Sequence, residues 1–235
     1  VIGQLAQGGL GLPDCEYYTR KDEKSAKIRT QYQAFLKQVF EKWGNAPQLA
    51  AKKAKQVFDL ESKLAQSSMT MVQQRDPNAT YHPVSLAQLS KESPGINWPV
   101  YFKAMGAPPL KIINFSSPKF FANLGKILKA TPLEAQKAYL EWQVLKSSAD
   151  YLTEDWSQLN FSFYGKTLTG ALEMSQRWRR VVKEVDGDMG DALGHKYVDL
   201  YFPPAAKAKV EDMLKRIRTA LSHTIDQLEW MTPET

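Results

Sequence analysis

The 235-residue chain carries 31 Lys and Arg against 25 Asp and Glu, a net charge of +6, and 43% of it is hydrophobic. Apolar material in that proportion suffices for a core that buries roughly 70–75% of the unfolded surface, which excludes a disordered chain. The single cysteine, Cys15, excludes a disulfide-stapled fold, and no apolar run reaches the ~18–20 residues of a membrane-crossing helix.

Residues 1–21 are the least helical part. Gly8-Gly9-Leu10-Gly11-Leu12-Pro13 punctuates regular structure, so a short strand leading into a turn is expected, with Tyr17 and Tyr18 turned into the body. From Asp22 to Trp43 the spacing predicts a helix with Ile28, Tyr32, Phe35, Leu36, Val39, Phe40 and Trp43 on one face. Gly44-Asn45 stops it, and Pro47 sits where a first helical residue tolerates a missing N–H. The next helix is predicted to run to about Ser67, with Leu49, Ala50, Val57, Phe58, Leu60, Leu64 and Ala65 inward. So short a link makes the pair an antiparallel hairpin.

Six prolines, from Pro77 to Pro109, break residues 74–117 into short pieces. Short helices are expected near 84–90 and 98–105, and a brief strand over Lys111–Phe115. Beyond Ser117-Pro118 the pattern is helix after helix. Thr131-Pro132-Leu133-Glu134 reads as a capping box, and Thr153 before Glu154 and Asp155 reads as a helix start. One helix is expected from about Thr169, carrying Leu172, Trp178 and Val182, and another from about Asp188 to Tyr201. The last is predicted from about Pro204 to Met231, with Val210, Leu214, Ile217, Leu221, Ile225 and Leu228. The expected fold is all-α with minimal β content near the N-terminus: a strand/turn lead-in over 1–21 and a helical lobe over 22–235.

A catalytic zinc site needs three protein ligands about 2 Å from the metal, two of them efficiently supplied by histidines one helical turn apart. His82, His195 and His223 are each alone in their neighbourhood and read as surface or capping histidines. There is no Gly-x-Ser-x-Gly elbow, and Gly8-Gly9-Leu10-Gly11 lacks the Lys-Ser/Thr ending of a phosphate loop. Cys15 reads as a structurally idle thiol. Asp186, Asp188 and Asp191 hint at a calcium loop, but Tyr197 occupies the position of its bidentate glutamate, so a helix-linking turn is the expectation. The Asn-x-Ser/Thr sequons at Asn78, Asn114 and Asn160 are assigned no role. The positive charge invites a nucleic-acid reading, but basic and acidic residues are interleaved. The densest cluster, Arg177, Arg179, Arg180 and Lys183, reads as a solvated helix face. Taken alone, these residues specify a helical body and no active site.

Several stretches resemble the amino-terminal region of the neprilysin and endothelin-converting-enzyme family of zinc metallopeptidases. Gln7-Gly8-Gly9-Leu10-Gly11-Leu12-Pro13-Asp14 followed by Tyr17-Tyr18 is similar to that family's Gly-Leu-x-Leu-Pro-x-x-x-Tyr-Tyr signature. Arg29 and Tyr32, Glu61 with Leu64-Ala65, Trp98 with Tyr101, and Tyr139-Leu140 with Trp142 follow in order. Gly170, Arg177-Trp178, Leu193-Gly194, Tyr197-Val198, Phe202, Trp230-Met231 and Thr235 complete the match, which spans essentially the whole chain.

The resemblance implies a two-lobed zinc endopeptidase of short peptides. Its catalytic lobe holds the metal with a His-Glu-x-x-His helix and a downstream Glu, and its helical lobe gates access to it. In the family those residues follow the region present here, so no residue of this chain is expected to be catalytic, cofactor-binding or metal-binding. Zinc is expected in the parent enzyme and not on this segment. The expected partners are the catalytic lobe of the same polypeptide and short peptides, with no nucleic acid and no membrane span in the segment. A chain that opens without Met is expected to be a segment whose targeting signal lies upstream of Val1, with the early part of the family's lobe. Cys15 departs from a usually basic position, and Val181 stands where animal members carry cysteine. Both point to a bacterial-type member, periplasmic or otherwise exported. Trp178 is expected as a core anchor rather than a substrate contact. Two other readings stay open: a non-catalytic helical protein- or peptide-binding module, and a basic nucleic-acid-binding helical domain.

Overall fold

The computed structural model describes residues 2–232, and the chain divides into two compact units at Met174/Ser175. In chain order the first unit contains β1 (Ile2–Leu5), α1 (Glu16–Thr19), α2 (Glu23–Lys42), α3 (Pro47–Ser67), α4 (Pro77–Thr80), β2 (Pro83–Val84), α5 (Leu86–Glu92) and α6 (Trp98–Ala104). It continues with β3 (Ile112–Phe115), α7 (Pro118–Ala130), α8 (Leu133–Ser148), α9 (Glu154–Asn160) and a π-helical segment, Phe161–Thr169. The second unit consists of α10 (Arg177–Tyr201) and α11 (Pro204–Asp226). The chain is predominantly helical, as its periodicity predicts.

The helical hairpin forms where its end signals place it. The Asp22 carboxylate accepts from Ser25 N at the start of α2, satisfying an N–H that the first turn leaves orphaned. Gly44, at φ +101°, turns the chain out of α2, and Pro47 opens α3. Tyr32, Phe35, Leu36 and Phe40 of α2 meet Ala50, Ala54 and Val57 of α3 in a core shared with Trp142 and Leu145 of α8 and with Phe163. Leu49 faces outward from α3, 44% exposed, because it precedes the buried stripe that starts at Ala50. Trp43, at the C-cap of α2, is likewise exposed and meets Trp156 edge-on at 6.4 Å.

The second half of α3 contributes to another core. Leu60 and Leu64 join Leu89, Trp98, Ile113, Phe115, Phe120 and Phe121 beneath a three-stranded sheet of order β1-β3-β2. β1 runs parallel to β3 in the register Ile2↔Ile112, and β2 pairs antiparallel with Val84↔Ile113. Asn114 is buried in this sheet, donating to Gln4 Oε1 and Thr80 O and accepting from His82 N. Its sequon is therefore consumed by strand packing.

Three further expectations are corrected. The Thr131 hydroxyl does not cap α8; it donates back to Ile127 O at the end of α7, and Gln136 Nε2 covers Thr131 O and Leu128 O. With only Thr131 and Pro132 between the two helices, Thr131 finishes the first and Pro132 stands at the N-cap of the second. The expected break near Asp186–Asp191 is also absent, since α10 runs unbroken from Arg177 to Tyr201 through Gly187, Gly190 and Gly194. Each glycine costs a helix ~1 kcal/mol. The spacing Trp178, Val182, Val185, Met189, Leu193, Tyr197 nevertheless keeps one face in phase across them. Finally, Trp178 is 60% exposed: its Nε1 donates to Gln176 Oε1 and the Arg179 guanidinium lies 5.2 Å from its ring centre. Its own unit supplies no core, for no residue of α10 or α11 is buried.

Candidate functional site

The most polar place inside the first unit is a carboxyl group. α3 carries Glu61 one turn beyond Val57 on its inward face, and the side chain is fully buried. A carboxylate taken from water is costly unless hydrogen-bonded, and here three donors converge on it. The Tyr18 and Tyr32 hydroxyls each donate to Glu61 Oε2 at 2.8 Å, and Trp142 Nε1 donates to Oε1 at 3.2 Å. α1, α2 and α8 supply one donor each, so the carboxyl joins four helices.

The same cluster holds the glycine-rich loop. The Tyr18 hydroxyl accepts from the backbone N–H groups of Gly11 and Leu12, at 3.2 and 3.0 Å. The loop carbonyls are taken from the other side: Gly9 O accepts from the Tyr139 hydroxyl, Leu10 O from Lys146 Nζ and Gly11 O from the Tyr164 hydroxyl. A Cβ on Gly11 would overlap the Tyr32 hydroxyl, so the loop reaches this depth only with glycine there. The π-helical segment makes its wide turn where Phe163 stacks on Phe35 at 4.9 Å and the adjacent Tyr164 reaches Gly11. Arg29 fastens the end of α1 by donating to Tyr17 O and Arg20 O.

Burial pushes the Glu61 carboxyl up to about 7, against the pull of the Tyr18, Tyr32 and Trp142 donors and the Lys146 charge. The Tyr18 and Tyr32 hydroxyls are driven well above the usual phenol range, first by burial and then by the neighbouring carboxylate. Burial lowers Lys146, and the attraction of Glu61 partly offsets it. With both oxygens engaged and no exposed face, the group is arranged to hold backbone rather than to meet a substrate.

The motif residues quoted above thus separate into two sets. Gly11, Tyr18, Tyr32, Glu61 and Trp142 converge at one point, while Trp98 is buried in the second core with the exposed Tyr101 edge-on against it. Tyr164 and Lys146 complete the site without any local pattern that would have singled them out. Glu61 did carry a signal, a charged residue at an inward position of an amphipathic helix. Cys15 is buried, donating weakly to Met69 O, with its thiol pushed up first by burial and then by Asp14.

The second unit presents a different feature. α10 turns out Val185, Met189, Leu193 and Tyr197, and α11 turns out Leu214, Ile217, Leu221 and Ile225, each 40–60% exposed. These repeat at three and four residues, the spacing of a face made to be covered.

Among the described residues no group of three or more His, Cys, Asp or Glu side chains is placed to hold a metal ion. His82 Nε2 sits against Ala79 O, and His195 and His223 are exposed on separate helices. No described helix is long and apolar enough to cross a membrane.

A helical lobe wound about a buried carboxyl, followed by two helices with uncovered apolar faces, is the class of protein that these features define. The model of the amino-terminal part of peptidase family M13 matches residues 1–235, and the chain belongs to that family. Neprilysin-3 of Drosophila melanogaster is 29% identical over 243 residues, and endothelin-converting enzyme 1 of Homo sapiens 25% identical over 239. In both, 99% of this chain but 31% of the relative is covered, so the chain spans about a third of their length. Among solved structures, the Mycobacterium tuberculosis zinc metalloprotease ZMP1 in complex with an inhibitor aligns with 98% of this chain and 35% of its own, at a TM-score of 0.86 and 31% identity. PEPO from Lactobacillus rhamnosis shares the fold, with a TM-score of 0.84 at 20% identity, over 98% of this chain and 36% of its own.

Proposed function

We propose that this chain is the substrate-gating helical lobe of a zinc-dependent metalloendopeptidase that hydrolyses short peptides, with the zinc ligands and catalytic groups on polypeptide outside the segment. Membership of peptidase family M13 supports the peptidase reading. The observation that carries the lobe reading is the pair of uncovered apolar faces on α10 and α11, which have no core in their own unit. Patches of this kind mark surfaces meant to meet more protein, and the rest of the same polypeptide is the partner this reading assigns. In that arrangement the lobe limits which peptides reach the metal, and zinc supplies an activated water in the other part of the enzyme. The likeness to ZMP1 and to endothelin-converting enzyme 1 favours an exported enzyme, with the periplasm the compartment for a bacterial member. The lead-in over 1–21 and the lobe from 22 onward are then one region of a longer protein.

The test compares the full-length product with the 235-residue segment for bound zinc and for cleavage of a test oligopeptide. Both are expected in the full-length protein and neither in the segment. Stoichiometric zinc and cleavage by the segment alone would overturn the reading. A full-length product that binds peptides but holds no zinc would support a non-catalytic binding module instead, which the same apolar faces would equally serve.

A further inference from the structure

The Glu61 cluster contains donors of two kinds. Trp142 Nε1 can only donate. The Tyr18 oxygen has both lone pairs occupied by Gly11 N and Leu12 N, so its proton is committed to Glu61 Oε2. Tyr32 differs, since among the described residues its one hydrogen bond is that to Glu61 Oε2 and no backbone donor reaches its lone pairs. If the carboxyl takes up a proton, that proton needs an acceptor, and among these three partners only the Tyr32 oxygen can become one.

We propose that this cluster is a buried pH-operated switch in which the Tyr32–Glu61 hydrogen bond reverses direction as the carboxyl gains or loses its proton, while Tyr18 and Trp142 remain fixed donors. The other ionisable groups electrostatically coupled to the carboxyl are Tyr139 and Lys146 of α8 and Tyr164 of the π-helical segment, each donating to a loop carbonyl. The tyrosines are neutral near pH 7, because burial drives the Tyr139 hydroxyl up to about 12 and Tyr164 higher, while burial lowers Lys146 and the attraction of Glu61 partly offsets it. Burial holds the Glu61 carboxyl at about 7, so its proton exchanges near neutrality. Proton exchange is thereby confined to the α2–α3 contact, and the loop stays clamped to Tyr18 in both states. The inference does not depend on the peptidase reading.

The test is a pH titration of the 235-residue chain, following side-chain carboxyl carbons in protein labelled with ¹³C at glutamate. One carboxyl should titrate near neutrality, well above the exposed glutamates, and should vanish in Glu61→Gln. Tyr32→Phe removes the reversing partner, which favours the ionised form more than the neutral one, so it should move the midpoint upward. The Tyr32 ring carbons should follow the same midpoint in the wild type, with the Gly11 and Leu12 amides holding their positions. Titration of Glu61 together with the exposed glutamates, an unmoved midpoint in Tyr32→Phe, or loop amides that shift as far as Tyr32 would each overturn the proposal. Should Glu61→Gln not accumulate as folded protein, the Tyr32→Phe shift carries the assignment.

Discussion

Tyr18 stands between Glu61 and the glycine-rich loop, its hydroxyl donating to Oε2 at 2.8 Å while accepting from the backbone N–H groups of Gly11 and Leu12. One phenol oxygen thus makes three hydrogen bonds and ties the amino-terminal loop to α3, 43 residues further along the chain. The spacing of the Leu-Pro and Tyr-Tyr elements follows from this. Residues 11–12 must come back over the hydroxyl of residue 18, and the turn and short α1 between them provide the return.

Removing the acceptor should be expensive. Glu61→Ala leaves the Tyr18, Tyr32 and Trp142 donors buried without a partner, at about 1–3 kcal/mol for each unsatisfied group. A loss of about 3 kcal/mol or more is expected in urea unfolding of the segment, and a change below 1 kcal/mol would show that water or another acceptor enters the site.

The pH dependence has a definite sign. Burial raises Glu61 from 4.5 to about 7 in the folded state, which favours the neutral form. The contribution of this group to stability is therefore greatest below pH 4.5, declines as pH rises, and reaches its minimum above pH 7. At 1.36 kcal/mol per unit the full span is about 3 kcal/mol. Urea midpoints measured from pH 5 to pH 8 should fall for the wild type relative to Glu61→Gln, and parallel curves would contradict the raised value.

Two glycines three residues apart should behave differently. Nothing lies within 4 Å of a Cβ built on Gly8, whereas one on Gly11 meets the Tyr32 hydroxyl. Gly8→Ala should leave the melting temperature nearly unchanged. Gly11→Ala should cost about 1–3 kcal/mol, the usual penalty of overpacking a filled core. Equal melting temperatures for the two variants would show that the loop does not sit on Tyr32.

Two of the tryptophans in the family match provide another contrast. Trp142 is buried at 1% exposure and meets Phe35 and Tyr32 edge-on, so Trp142→Ala should cost about 3–5 kcal/mol. Trp178 is solvent-exposed in this chain, and Trp178→Ala should stay within about 0.5 kcal/mol of wild type in denaturant unfolding of the segment. A large loss at Trp178 would mean that α10 is packed in the isolated chain.

The sequence by itself determined the helical class, the α2–α3 hairpin from Asp22 to Ser67, the short strand ending at Phe115 and the proline-marked helix starts. Periodicity, caps and prolines act within a few residues of the bonds they make or forbid, so they can be read locally. In order and spacing it also held the family signature, Glu61 among its landmarks. Only the tertiary structure decided what that signature does. Trp142 lies 81 residues from Glu61 and Tyr164 lies 153 from Gly11, and no local periodicity says which inward faces will meet. The same limit explains Thr131 and Trp178. A threonine before a proline fits either helix it joins until the turn geometry chooses one, and an apolar face looks alike in sequence whether its covering comes from its own unit or from other polypeptide.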